Sequence, residues 1–383
     1  MKRVLLVHAR FPVTYWGFQD ALRLVDREAS IPPLGLVSLA ACLPDSWDLR
    51  LVDLNVRPLT DADIRWADTV FIGGMLLQLE SMLEVLERAH GRDLPVAVGG
   101  PAATTTPEVF PEAEVVFQGE AEDRIDELVA ALESCTMGEQ VVVPPGEKRP
   151  DMSSFPVPRF DLLDIPKYSS MAIQYSRGCP FRCEFCDIVE MFGHTPRVKT
   201  NDQILAELTA LERLGFKGSV FIVDDNFIGN KREVRRLLPL IAEWQEAHDR
   251  PFDFYTEASI NLASDPELMA AMVAVGFRSV FVGIETPSLD ALRDAGKSQN
   301  LRLDLTEAIE TLTRGGLEVM GGFIVGFDTD GPEIFEAQRQ FIGSSPIPLA
   351  MVGILGALPG TALWRRLEKE GRLRGRPEGD QFA

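Results

Sequence analysis

Ser176-Arg177-Gly178-Cys179-Pro180-Phe181-Arg182-Cys183-Glu184-Phe185-Cys186 follows directly on residues 172–175, an apolar run of strand length. Three cysteines, separated by three and then two residues, fall within eight positions after that strand. One loop can present them on a single concave side, where three thiolates wrap one cubane iron–sulfur cluster. Such clusters usually take four cysteines. Here the local set stops at three and Cys42 and Cys135 lie far upstream, so one iron would stay open to another ligand. A zinc site is the competing reading, with His194 as a fourth ligand eight residues past Cys186. Five cysteines, an odd number with three of them clustered, do not read as a disulfide framework, and a reducing, cytoplasmic home is expected.

Outward from the loop, strand and helix patterns alternate. Strands are expected at residues 172–175, 219–223, 252–257, 279–283, 318–325 and 349–355, with helices at 201–214, 231–247, 266–275, 301–314 and 333–342. Six units of this kind suit a partial (β/α)6 barrel better than a closed eight-stranded one, and ligands should collect at the strand C-termini. Before it, residues 143–166 are rich in proline (Pro144, Pro145, Pro150, Pro156, Pro158, Pro166) and cannot sustain a helix or interior strand. Upstream again, strands at 4–8, 49–53, 69–73, 95–99 and 114–118 alternate with helices at 33–42, 82–89 and 121–132, as in a doubly wound, Rossmann-like α/β sandwich. The expected division is residues 1–140, a linker at 141–167, a barrel at 168–365 and a tail or further segment at 366–383.

Composition narrows the partners. A net charge of −20 argues against nucleic acid, whose phosphates such a chain would repel, and the short basic groups at 231–236 and 372–376 read as solvated faces. The longest apolar stretch, residues 347–358, falls short of the roughly 20 residues a membrane helix needs. Glycines end the first domain's strands at Gly73-Gly74, Gly99-Gly100-Pro101 and Gly119, but none forms Gly-x-Gly-x-x-Gly, so a nicotinamide or flavin site is a weak reading.

The Cys-x-x-x-Cys-x-Phe-Cys spacing, with Phe185 before the last cysteine, resembles the cluster loop of the radical S-adenosylmethionine (SAM) superfamily. The resemblance implies that Cys179, Cys183 and Cys186 hold a 4Fe–4S cluster whose free iron chelates SAM, with Phe185 beside the adenine. In that family an electron from the cluster cleaves SAM and the resulting deoxyadenosyl radical takes hydrogen from an unactivated carbon, chemistry that only the cofactor can carry. Further strand ends resemble the family's SAM contacts: Glu257 and Ser259 in Tyr255-Thr256-Glu257-Ala258-Ser259, Glu285 in Gly283-Ile284-Glu285-Thr286, and Gly322 in Gly322-Phe323-Ile324-Val325-Gly326. Where the family often continues with a proline and an acidic residue, this chain has Asp328 and Asp330. Leu358-Pro359-Gly360-Thr361 matches the turn after the last strand.

The first domain is similar to the cobalamin-binding module that precedes many such barrels, with Gly73, Gly74, Met75, Gly99, Gly100, Pro101, Gly119 and Glu120 as its cofactor-side punctuation. In the better-known module an Asp-x-His-x-x-Gly loop gives histidine to cobalt. Here Asp53-Leu54-Asn55-Val56-Arg57-Pro58 has none, which implies cobalt without a histidine below it and a lower face lined by residues 75–78. Tyr15-Trp16-Gly17-Phe18, residues 51–60, residues 176–188 and residues 221–230 (FIVDDNFIGN) carry a likeness to the branch that includes the hopanoid C-methyltransferases. Members of that branch usually continue well past the barrel.

The resemblance implies a cobalamin-dependent methyltransferase acting on an unactivated sp3 carbon of an apolar, polycyclic or lipid small molecule, served by an electron donor such as a flavodoxin or ferredoxin. A non-methylating cyclisation or rearrangement with the same cofactors, and a non-catalytic cluster-bearing scaffold or sensor, stand as alternatives. For direct methyl transfer the strand C-termini of both domains are expected to face each other, with Phe185, Glu257 and Ser259 on one wall and Gly73, Met75 and Gly100 on the other.

Overall fold

Val4, Leu5, Leu6 and Val7 are all fully buried, and they alternate between two hydrophobic cores: Leu5 and Val7 on one face, Val4 and Leu6 on the other. Burial of four successive side chains, split between two cores, is the pattern of a central strand in a parallel sheet covered on both faces. The computed structural model describes residues 2–14 and 17–374, so Tyr15, Trp16 and the stretch 375–383 lie outside it. The chain divides into two units, the first running through Met171 and the second from Ala172 onward.

The first unit holds β1 (Arg3–His8), β2 (Asp48–Asp53), β3 (Thr69–Gly73), β4 (Val96–Gly99), β5 (Val115–Phe117) and β6 (Val141–Val143), all parallel, in the order β2-β1-β3-β4-β5-β6. This is the doubly wound arrangement whose strand order reverses between β1 and β3, the place where such sheets bind ligands at their carboxyl ends. The register aligns Asp53, His8, Gly73 and Gly99 along that edge. Helices Leu34–Cys42, Leu79–His90 and Ile125–Ser134 cover the faces where periodicity puts them.

The boundary moves from its expected place. Residues 141–171, expected as linker and the barrel's start, belong to the first unit. Three valines add β6 to the edge of the sheet, where a following Pro144-Pro145 is tolerated because an edge strand leaves one side unpaired. Residues 167–170 pair with residues 28–30: Glu28 N and Ala29 N donate to Lys167 O, and Ser169 N donates to Ala29 O. Tyr168 Oη donates to Asp53 Oδ2 at 3.1 Å.

The second unit contains β7 (Met171–Ile173, at the junction), β8 (Ser176–Arg177), β9 (Arg197–Val198), β10 (Gly218–Ile222), β11 (Phe252–Glu257), β12 (Phe277–Glu285), β13 (Glu318–Val325) and β14 (Leu349–Ile354). Its main sheet runs β14-β13-β12-β11-β10-β7, six strands in an open series, with parallel pairing from β10 through β14. Helices Asn201–Arg213, Lys231–Ala247, Pro266–Val275, Leu305–Arg314 and Ile334–Ser344 fill the intervals. Among the described residues no helix is long and apolar enough to cross a membrane.

At the amino ends of β4 and β5, away from the ligand edge, the buried Glu114 carboxylate accepts from Val96 N (2.8 Å), His90 Nε2 (3.1 Å) and Gly138 N (3.2 Å). Burial pushes its pKa up, but these donors together hold it below the usual carboxylate range. A carboxyl depressed in the folded state stabilises the fold above its unfolded pKa of about 4.3, and that contribution fades as pH falls through the folded value. Glu114→Leu leaves two backbone N–H groups without an acceptor and should lower stability by about 2–4 kcal/mol. Denaturant titrations at pH 7 and below pH 4 check both: the variant's deficit should be large at the first and shrink at the second.

Candidate active site

The cysteine loop is built on a glycine that nothing else could replace. Gly178 has φ +98°, and a Cβ there would meet Gly193 O at 2.8 Å and two further carbonyl oxygens at 3.2 Å. The β8–β9 pair closes the base of the loop, and Cys179 N donates to Gly193 O at 3.1 Å. On the far side Glu184 N donates to Ala295 O, Leu363 N to Glu184 O, and the Arg366 guanidinium grips the Glu184 carboxylate. All three cysteines are free and partly buried. Burial raises the Cys179 thiol and pushes Cys186 up to about 12, so each keeps its proton until a cation replaces it.

Among the described residues no three His, Cys, Asp or Glu groups converge as they would around one metal ion. Three cysteines on one loop suit a cubane better, since its iron corners are set apart.

Two consecutive carboxylates after β10 hold the loop's entrance. Asp224, fully buried, accepts from Tyr175 N (2.7 Å), Ser176 N (2.9 Å) and Ser176 Oγ (2.6 Å). Asp225 accepts from Gly178 N at 2.8 Å. Burial outweighs these donors and pushes Asp224 up to about 7 and Asp225 to about 6. Glu257, at the end of β11, is pushed up to about 7 by burial and by Asp225, with Lys297 opposing.

Lys297 is a residue that motif reading missed. Its ammonium pairs with Glu285 at 2.5 Å and lies 5.9 Å from the centre of the Phe185 ring. Despite desolvation, Glu285 and then the Cys183 sulfur hold its pKa above the usual lysine value. Glu285 takes φ +66° at the β12 bulge, a strained backbone for a non-glycine residue. A Cβ on Gly283 would meet the Glu285 carboxylate and come within 2.7 Å of Lys297 Nζ, so a side chain there would push this ion pair aside.

The remaining barrel candidates divide. Phe185 meets Phe327 edge-on and packs on the same buried cluster (Ala291, Ala295, Phe327) as Ile324 and Leu355, which places it near the ends of β13 and β14. Ser259 N and Oγ lie 3.1 and 3.2 Å from Asn226 Oδ1. Gly322 has a packing reason of its own, since a Cβ would sit 2.6 Å from Phe281 Cζ. Asp330 accepts from Gly326 N and Phe327 N and closes the turn after β13, while Asp328 pairs with Arg366 and Arg372.

In the first unit Asn55 is fully engaged. Its Oδ1 accepts from Phe11 N, and its Nδ2 donates to Asp53 Oδ1 and Ala9 O. Gln78 is buried with Nε2 on Ala9 O and Oε1 accepting from Met75 N. His8 lies beside Phe11 and 3.4 Å from Gln78 Nε2, and burial lowers its pKa. Gly73, Gly74 and Gly99 are buried, and a Cβ on each would press on Leu36, Met82 and Phe71 respectively, so each lies tight against a neighbouring side chain. Met75 and Gly100 are the exposed members of this edge, Met75 at 48% and Gly100 with φ +89°. Gly119 (φ +81°) and Glu120 are partly buried. This edge offers cobalt no free imidazole or amide from the β2 loop, in keeping with the missing histidine.

An open parallel barrel with a three-cysteine loop after its first strand, preceded by a doubly wound sandwich, defines the class. The radical SAM superfamily model matches residues 173–342, and the B12 binding domain model matches residues 22–129. An uncharacterized methyltransferase of Synechocystis sp. is 44% identical over 99% of this chain and 70% of its own length. The hopanoid C-2 methylase of Rhodopseudomonas palustris is 43% identical over 97% and 71%. The methyltransferase TsrM of Kitasatospora setae, solved with cobalamin and a 4Fe–4S cluster, superposes with a TM-score of 0.73 at 16% identity, over 97% of this chain and 75% of that one. The chain belongs to the cobalamin-binding radical SAM methyltransferases, in the branch of the hopanoid C-methyltransferases. Its cofactors are accordingly a 4Fe–4S cluster, SAM and cobalamin.

Asp224→Ala removes the acceptor of two buried backbone N–H groups and one hydroxyl, each worth about 1–3 kcal/mol when left unsatisfied. The second unit should lose roughly 3–6 kcal/mol by that principle's scale. Denaturant titration monitored on the second unit reads the loss; a drop below about 1 kcal/mol would mean the loop entrance is held by other contacts.

Proposed function

We propose that this chain methylates an unactivated sp3 carbon of an apolar, polycyclic or lipid-like small molecule, with Cys179, Cys183 and Cys186 as the cluster ligands. The observation that carries the substrate class is the 43% identity to a hopanoid C-2 methylase over 97% of the chain. When bound, the cluster and SAM supply one-electron cleavage of a C–S bond, and cobalamin supplies a transferable methyl group.

This chain's own residues bind and orient. The Phe185 ring, packed on the buried cluster of Ala291, Ala295 and Phe327, offers a flat apolar wall for an adenine. Lys297, kept charged by Glu285, supplies a cation beside that wall, suited to a carboxylate. Glu257 and Ser259 at the end of β11 face the polar groups of the same ligand, while the space at Gly322 is taken by the Phe281 ring. On the sandwich, Met75, Gly100, Pro101, Gly119 and Glu120 are the reachable positions on the cobalamin edge. A flavodoxin- or ferredoxin-type protein is the proposed electron donor.

Anaerobic protein loaded with iron, sulfide and cobalamin, then given reductant, SAM and a hopanoid, should yield a product heavier by one CH2 together with 5′-deoxyadenosine and S-adenosylhomocysteine. Deoxyadenosine without S-adenosylhomocysteine would favour the cyclisation or rearrangement reading. In Cys183→Ala all three products should fall to background along with bound iron; stoichiometric zinc in place of iron would overturn the ligand assignment.

Because Asn55 is committed to Asp53, Phe11 and Ala9, the Co(II) state should show no strong nitrogen hyperfine splitting in electron paramagnetic resonance. A resolved strong coupling that vanishes in His8→Ala would show instead that His8 turns outward to the metal.

A further inference from the structure

We propose that Asn226 and Gln299 are positioning residues for the cluster: each directs a side-chain N–H at one cysteine sulfur, Asn226 at Cys179 and Gln299 at Cys183, and so sets how readily the cluster takes up an electron. The inference rests on the reading that these cysteines hold the cluster.

Asn226 belongs to residues 221–230, a stretch to which the reaction assigns no part. Its side chain is 3% exposed. The orientation of its amide is settled by chemistry. Ser259 N, which can only donate, lies 3.1 Å from one end of the amide, so that end is the oxygen. The nitrogen is thereby aimed at Cys179 Sγ, 4.0 Å away.

Gln299 comes from another segment, past the end of β12, and is 5% exposed. Its Nε2 lies 3.8 Å from Cys183 Sγ, and its Oε1 has no hydrogen-bond partner. A buried amide with half its capacity unmet is costly and calls for a reason. Reversing it would turn an oxygen lone pair toward a sulfur that becomes an anion on binding iron, so the donor end faces the sulfur.

Both separations are long for N–H···S contacts, and they are the distances to neutral thiols. A thiolate on iron carries negative charge and draws such a donor in. Hydrogen bonds to cluster sulfurs stabilise the added electron, and they are among the levers that set cluster potential. Two of the three ligands thus receive a neutral donor from outside their own loop, which adds no charge of its own. Asp224 and Asp225, which precede Asn226 directly, anchor the loop's entrance, so the donor and the loop it serves are held by one segment.

The test is a redox titration of the reconstituted full chain without SAM, followed by electron paramagnetic resonance, with iron and sulfide counted in the same samples. Gln299→Met keeps the side chain's length and apolar volume but has no N–H. Asn226→Asp keeps the oxygen that Ser259 needs and removes the donor. Both should retain about four irons and four sulfides and shift the midpoint to more negative potential. A fully loaded Gln299→Met with an unmoved midpoint overturns the proposal, whereas wild-type protein that binds no cluster overturns the ligand reading beneath it. Should the variants fail to load, wild type answers alone: with the side-chain amides of Asn and Gln labelled with 15N, the reduced cluster should show a weak 15N coupling in pulsed spectra. Its absence overturns the proposal.

Discussion

One buried carboxylate organises the second unit. Asp224 lies at the end of β10, and every donor it serves is at the entrance to the cysteine loop, 48 or 49 residues earlier in the chain. A loop of some ten residues carrying three cysteines has little hydrophobic area of its own and would otherwise be free to rearrange. The carboxylate converts that freedom into a fixed start, after which Gly178 makes the turn and Arg366 closes the far end through Glu184. Without it, two backbone N–H groups and a hydroxyl would be left buried with no acceptor, at about 1–3 kcal/mol each. The three cysteines therefore depend on a residue almost fifty positions further along the chain, which acts on them only through the start of their loop.

Much of this was legible in the chain. The spacing of Cys179, Cys183 and Cys186, the alternation of strands with helices, and the missing histidine near Asn55 are local properties, and periodicity or spacing reports them directly. What lay beyond reading are the pairings between distant segments. Nothing in the neighbourhood of Lys297 reveals that Glu285 awaits it across a strained bulge. Nothing around Gln299 points to Cys183, more than a hundred residues before it. The same limit explains the misplaced boundary. Pro144 and Pro145 announce a linker, but only the sheet shows that the three valines before them complete an edge.

Glycines illustrate a second limit. A glycine at a strand end reads equally as a place for a ligand or as a place where a neighbouring side chain needs room. Phe71 claims the space at Gly99, and Phe281 claims it at Gly322. Gly178 and Gly100 differ, because their positive φ forbids a side chain whatever the surroundings. Backbone conformation, which sequence does not print, separates the two kinds.

The raised carboxyls of the barrel carry a consequence for the chain as a whole. Asp224, Asp225 and Glu257 bind protons more tightly folded than unfolded, so their contribution favours the fold in acid and is withdrawn as pH climbs from about 4 toward 7. Glu114, in the sandwich, behaves in the reverse sense and fails below that range. The two kinds of carboxyl therefore push in opposite senses, and both do so on the acid side of neutrality. Between about pH 7 and pH 4 protonation strengthens the three barrel carboxyls' contribution, and below that range the sandwich loses what Glu114 gives it, so a melting curve recorded at one pH samples a different balance of the two from one recorded at another.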